Sequence, residues 1–265
     1  LSGGSPVAAP QVYRGAGVDF ELERMAIMGL ALAAGALVKG ATGMGLPLIA
    51  LPVLATFFGL HHAVGIMAIT QIVTNGMQIW QFRAARREDS MNFLPLFLAT
   101  GAVGVVLGTW LLRNLPERVL IFSLGVLLLA YFGLKVSRPH LAVSAAMARR
   151  AGPAAGFGSG VLQGATGISA PVGVTFIHAM GLDRAAHVYA VSAMFLTLGL
   201  VQLPSLIVGG IMQPQWVIEA LLAMIPILIF MPVGQALAGK LSRRAFDLMI
   251  LIFLGLMGLK MVLGI

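Results

Sequence analysis

The sequence predicts an all-α, polytopic membrane protein: two inverted repeats of about five helical segments each, with helices broken at a duplicated GATG motif. Three observations carry this. Of 265 residues, 59% are hydrophobic and only 10% are charged, whereas a soluble domain carries about 25% charged residues. No core of this size hides so many apolar side chains, so the excess must face lipid. The apolar stretches run to about 20 residues, the length of a spanning helix rather than a barrel strand. Finally, KGATGMGLP at 39–47 returns as QGATGISAP at 163–171, and glycine and proline inside apolar runs weaken or end helices.

In chain order the apolar segments fall at roughly 22–41, 44–59, 63–82, 92–112, 117–135, 153–165, 168–181, 185–208, 215–238 and 245–264. The first ten residues, LSGGSPVAAP, are small, polar and proline-containing, and are set apart from the fold as a trimmed or tagged terminus. The duplication extends past GATG. Gly59-Leu60, a polar pair and Ala63 resemble Gly181-Leu182-Asp183-Arg184-Ala185; Val103-Gly104 echoes Val233-Gly234; Gly133-Leu134-Lys135 echoes Gly258-Leu259-Lys260. The same order in both halves divides the chain into a tail (1–20), repeat 1 (21–135), a cytoplasmic linker (136–152) and repeat 2 (153–265).

An odd number of crossings per half turns the second half over, and the positive-inside rule tests this. The basic loops are 83–87, 135–150 (Lys135, Arg138, Arg149, Arg150) and 240–244 (Lys240, Arg243, Arg244). Placing all three in the cytoplasm closes the topology for inverted repeats, with both termini outside; a parallel repeat would expel 240–244. The 113–118 loop, with Arg113 and Arg118, dissents mildly. From Gly152 to Gln163 is ~17 Å of helix at ~1.5 Å per residue, which puts Gln163, and Lys39 by pseudo-symmetry, near the middle of a ~30 Å slab. Short helices meeting mid-membrane are the expectation; full crossing and re-entrant hairpin give the same loop assignment.

Lys39 is the sharpest candidate. A mid-membrane lysine faces a cavity or a partner; read instead as a terminal residue, it snorkels to the interface. The turn after each GATG starts a new helix, with Pro47 and Pro171 suited to its first turn. Two helix N-termini aimed at a common centre suit an anion. The candidate binding residues are therefore Lys39, Gly40, Thr42, Gly43 and Gly45, and Gln163, Gly164, Thr166, Gly167 and Ser169. Alternatively GATG is only a close-packing corner. Gln71, Thr74, Asn75 and Gln78 form one polar helical stripe, either a pathway wall or interhelical glue; Gln71, Asn75 and Gln78 join the candidates. The ladders Gly152/Gly156/Gly160/Gly164 and Gly104/Gly108 read as close helix packing.

Other classes find little support. The net charge of +8 sits mainly in short loops, without the aromatic interleaving of nucleic-acid binders. There is no cysteine, and no GxSxG, HExxH, Walker A or GxGxxG signature. His61 and His62 fall in a loop, His178 and His187 are separated singles, and no spacing suits a metal. Asp183, Glu219 and Asp247 sit near segment ends, at the interface. No enzyme activity, cofactor, metal or nucleic acid is expected. The expected partners are a small anionic substrate, membrane lipid, a coupling proton or sodium ion, and a second copy in a homodimer.

The duplicated GATG-x3-P, the apolar repeat and the length resemble the sulfite exporter TauE/SafE family, also called the toluene-sulfonate uptake permease family, over about residues 25–264. Where that family often carries more glycine, this chain has Met44 and Ile168-Ser169. The resemblance implies transport of sulfite, sulfoacetate or other sulfonates across a bacterial cytoplasmic (inner) membrane, by exporters in some members and uptake systems in others. It favours alternating-access secondary transport, with an anion channel or a non-transporting scaffold for a sulfur-metabolism enzyme as alternatives.

Overall fold

A computed structural model describes residues 18–87, 91–137, 145–238 and 243–265. The expectations for residues 1–17, Glu88, Asp89, Arg138 and Lys240, and for the Asp247, Arg243 and Arg244 side chains, lie outside what it describes. The described residues are helical and without strands: α1 (Val18–Thr42), α2 (Leu46–Phe58), α3 (Leu60–Gln81), α4 (Leu94–Asn114), α5 (Glu117–Ser137), α6 (Ala145–Thr166), α7 (Gly173–Ala179), α8 (Arg184–Val208), α9 (Pro214–Leu237) and α10 (Arg243–Leu263). A 3-10 turn, Arg83–Arg87, follows α3.

Five described helices are long and apolar enough to cross a membrane: Glu23–Thr42 within α1, then α4, α5, α8 and α9. Their outward faces carry Leu30, Val103, Trp110, Val208 and Ile218, all well exposed. A patch of this extent is a lipid-facing surface, not a soluble one.

Two boundaries differ from the sequence expectation. Helix α6 begins at Ala145, takes Pro153 inside it, and so absorbs much of the linker. Depth is therefore better counted from the last cation. Ala151 to Gln163 rises ~18 Å and Met25 to Lys39 ~21 Å at ~1.5 Å per residue, which keeps both residues well inside a ~30 Å slab. The second difference is α7, only seven residues long. Pro171 lies in the turn before it, whereas Pro47 is in the first turn of α2.

The main packing pairs are α1 with α9, α4 with α6, α3 with α8 and α5 with α10. Glycine sets the first two. A Cβ on Gly40 would lie 2.0 Å from the Met231 carbonyl oxygen, and one on Gly234 would lie 2.2 Å from that of Leu37. In the other pair, a Cβ on Gly164 would lie 2.4 Å from the Val105 carbonyl oxygen and one on Gly108 2.2 Å from that of Val161. The same four-group contact thus occurs twice, and the structural partner of Gly234 is Gly108, one turn beyond the Gly104 that the sequence echo picked out. Gly156 and Gly160 of the expected ladder meet the Phe97 and Gly101 carbonyls, while Gly152 has only the tip of Phe176 nearby. Backbones approach this closely only where side chains are missing, and without a hydrophobic drive between helices in lipid such packing is the main cohesive term.

Gly160→Ala should accordingly lower stability by about 1–3 kcal/mol, since its Cβ would fall 2.0 Å from the Gly101 oxygen. Gly133→Ala, with nothing within 4 Å, should be neutral or gain up to about 1 kcal/mol. Thermal unfolding in detergent compares the two.

Candidate functional site

Both GATG copies end a helix inside the bundle, and they do so in the same way. Gly43 and Gly167 take left-handed backbone at φ +82 and +74, and their amides donate to the Lys39 and Gln163 carbonyls at 2.7 and 2.8 Å. This is the single-bond left-handed helix stop. Thr42 donates to the Val38 carbonyl at 2.9 Å and accepts the Met44 amide at 3.3 Å; Thr166 does the same with Leu162 at 2.8 Å and Ile168 at 3.3 Å. Backbone groups that lipid cannot satisfy are thus satisfied within the corner. The threonine hydroxyls are engaged as caps in this conformation, and Gly40 and Gly164 serve packing, so the corner reading describes four of the candidates well.

The copies part at the next step. Gly45 has φ +114, and α2 starts at once. Its counterpart is Ser169, and no described non-glycine residue has positive φ, so the chain turns through 169–172 before α7. The two turns do not converge on one point. Gly43 seats against Val188 of α8, whereas Gly167 seats against Leu51 of α2 and Val64 of α3. Helices α3 and α8 run antiparallel: Gln78 lies by Ser192, and Gly199 by Ile72 and Ala68. The corners therefore meet opposite ends of this pair, and the expected shared focus of helix N-termini is replaced by polar groups strung between them.

Lys39 is 1% exposed. Its ammonium donates to Asn75 Oδ1 at 2.6 Å, and Asn75 Nδ2 donates to the Gln71 carbonyl at 2.7 Å. No described carboxylate pairs with it; the described ion pairs involve only His61 and His62. Gln163, fully buried, donates through Nε2 to Gln202 Oε1 at 3.1 Å, and Gln202 Nε2 donates to the Gln163 carbonyl at 2.8 Å. Gln78 accepts from Ser192 Oγ at 3.0 Å. The stripe on α3 is buried throughout, with Asn75 and Gln78 acting as interhelical links. By register, Gln71 lies roughly one turn from Asn75 and roughly one from the level of Gln202, and both of its amide atoms are buried without a partner among the described residues. Gln163 Oε1 and Ser169 Oγ are likewise buried and unpartnered. Buried polar atoms of this kind are where water or a ligand belongs.

Gln202 is the residue that sequence reasoning missed. A lone amide in the apolar run of α8 was itself the signal, because it needs a partner when buried.

The two ends of the bundle carry different polar contacts. At the α3 N-terminus His62 meets Glu219 of α9 at 2.6 Å, packed edge-on to Trp216, and Glu117 of α5 accepts the Leu60 amide at 2.6 Å. His61 and His62 are thus helical, not in a loop. At the other end His178 and His187, separated in sequence, stack edge-to-face with centroids 5.6 Å apart. A cavity of about 360 Å³ there is lined by Thr42, Met44, Gly45, Tyr131, Lys135 and His178, among others. A larger one of about 800 Å³, between α1, α2, α9 and α10, has only apolar side chains. Among the described residues no group of three or more His, Asp or Glu could hold a metal.

The family profile of the sulfite exporter TauE/SafE matches residues 27–261. The chain belongs to the sulfite exporter TauE/SafE family. No curated protein and no solved structure matches it. Membership accords with the apolar helices: this is a membrane transporter family.

Because Gln163 Nε2 and the Gln163 backbone carbonyl both bond to Gln202, Gln202→Leu should cost about 1–3 kcal/mol by stranding them. Gln163→Leu/Gln202→Leu together should cost less than the sum of the singles. A double-mutant cycle on thermal unfolding measures the difference.

Proposed function

We propose that this chain is a secondary transporter of small sulfur-containing anions, such as sulfite, sulfoacetate or other sulfonates, and that the anion is held by Lys39 with the amides of Gln71, Asn75, Gln163 and Gln202. The observation that carries this is Lys39 itself: a fully buried ammonium with one amide as its described partner. An ammonium has three donors, and a buried charge is costly unless it is paired. A small anion supplies the missing charge and accepts the free hydrogens, and the unpartnered Nε2 of Gln71 adds a further donor. The C-terminal dipole of α1 helps hold the cation while the site is empty.

The twofold recurrence of contacts supports the repeat architecture. Exchanging the halves turns the α1–α9 crossing into the α6–α4 crossing, and Gly43 on Val188 into Gly167 on Val64. In the inverted arrangement, with basic loops inside, the Lys135 end faces the cytoplasm of a bacterial inner membrane and the His62–Glu219 contact closes the outer end. Alternating access then moves one set of helices against the other around the α3–α8 pair.

Proteoliposomes test the reading. Sulfite or a sulfonate should enter saturably and faster against the same anion inside, and Lys39→Ala should reduce this at least about tenfold. Flux that rises linearly without counter-anion acceleration would mark a pore, and no flux of any sulfur anion would refute the substrate class.

A further inference from the structure

We infer that the second GATG corner binds a small alkali cation, held by the side-chain oxygens of Gln163 and Ser169 at the C-terminal end of α6. It takes the place that the Lys39 ammonium fills at the first corner. The inference deepens the transporter reading by naming the class of its coupling ion, and that coupling role rests on the reading. Gln163 and Ser169 are fully buried, and Gln163 Oε1 and Ser169 Oγ have no partner among the described residues.

Hydrogen bonding fixes which atom of Gln163 is spare. Gln202 Nε2 donates to the Gln163 carbonyl at 2.8 Å, which leaves Gln202 Oε1 as an acceptor, and Gln163 meets it with Nε2 at 3.1 Å. What remains on Gln163 is an oxygen, which an anion cannot use. Ser169 comes to the same face because the chain doubles back. Gly167 stops α6 one turn after Gln163, with its amide on the Gln163 carbonyl. Gly173 then packs against Ser159, one turn before Gln163 on the same face. Residues 168–172 therefore pass back over Gln163. The Thr166 hydroxyl is occupied by the Leu162 carbonyl and the Ile168 amide.

Spare oxygens at a helix C-terminus suit a cation, because the last carbonyls point outward and the dipole is negative there. Broken membrane helices hold coupling ions in this way. The donors are hard and neutral, which suits an alkali ion, and neither an amide nor a hydroxyl takes up a proton near neutrality. The described acids, Glu23, Glu117, Asp183 and Glu219, lie within two turns of helix N-termini, so no described carboxylate stands at this corner to balance a divalent ion. By register, about two turns, or ~11 Å, separate Asn75 from the level of Gln202. An anion beside Gln71 then lies between the ammonium and the bound cation, and each ligand favours the other.

Thermal unfolding of the purified protein, with no sulfur anion present, tests the site. At equal ionic strength, sodium or potassium chloride should raise the melting temperature saturably, by about 2–5 °C over choline chloride. Ser169→Ala should raise the half-saturating concentration about tenfold. Gln163→Lys, which builds an ammonium into the second corner, should melt alike in all three salts. In proteoliposomes the KM for sulfite should fall as the stabilising cation rises. If neither alkali salt stabilises wild type beyond choline, or if Ser169→Ala keeps the wild-type cation dependence, the site is refuted while the transporter reading stands. A cation-stabilised wild type whose sulfite KM ignores that cation would overturn the coupling role. If the alkali salt stabilises but no sulfur anion is carried, the substrate reading falls and the cation site stands.

Discussion

The structure depends on ending helices inside a bundle without leaving backbone groups unpaired. In lipid an open carbonyl or amide costs several kcal/mol, and the GATG corner meets that demand locally. One glycine admits a left-handed turn, a threonine bridges the carbonyl one turn back and the first free amide, and the leading glycine lets a neighbouring helix close to backbone contact. Because the corner supplies several of its own hydrogen bonds, it can sit deep in the protein. It also fixes the residue that precedes it: position 39 or 163 always lies in the last helical turn and faces the partner helix.

Around these two matching corners the side chains differ. One half puts lysine at that position, the other glutamine. The glutamine finds two hydrogen bonds to Gln202, one through its side chain and one through its backbone carbonyl, whereas the lysine finds a single amide oxygen. Glycine against serine at 45 and 169 repeats the contrast in the backbone, giving α2 a direct start and α7 a late one. Stability alone does not call for an uncompensated cation, since a buried charge is generally worth less than a well-packed neutral residue. A site that receives an anion does call for one.

Much of this was legible in the sequence, for physical reasons. Hydropathy and helix-breaking residues located the helices, because lipid permits few alternatives. Lys39, Gln163 and the 71–78 stripe stood out because polar groups in apolar runs need partners. The partners themselves were not legible. Gln202 and Ser192 are joined to Gln163 and Gln78 across 39 and 114 residues, and nothing local announces such pairs. The direction of the corners was misjudged for the same reason: that Gly43 faces Val188 and Gly167 faces Val64 is set by how α3 and α8 pack. His178 and His187 looked unrelated because only a folded turn brings nine residues of separation down to ring contact.

On the proposed reading, the charge of Lys39 serves an anion and not the fold. The sharpest test is the melting of Lys39→Gln, the residue that the second half already carries at 163, with and without sulfite. Without sulfite the variant should melt at or above wild type, and it should lose the sulfite-induced rise that wild type shows. A variant that melts lower yet keeps the full rise would make Lys39 a structural residue and place the anion elsewhere.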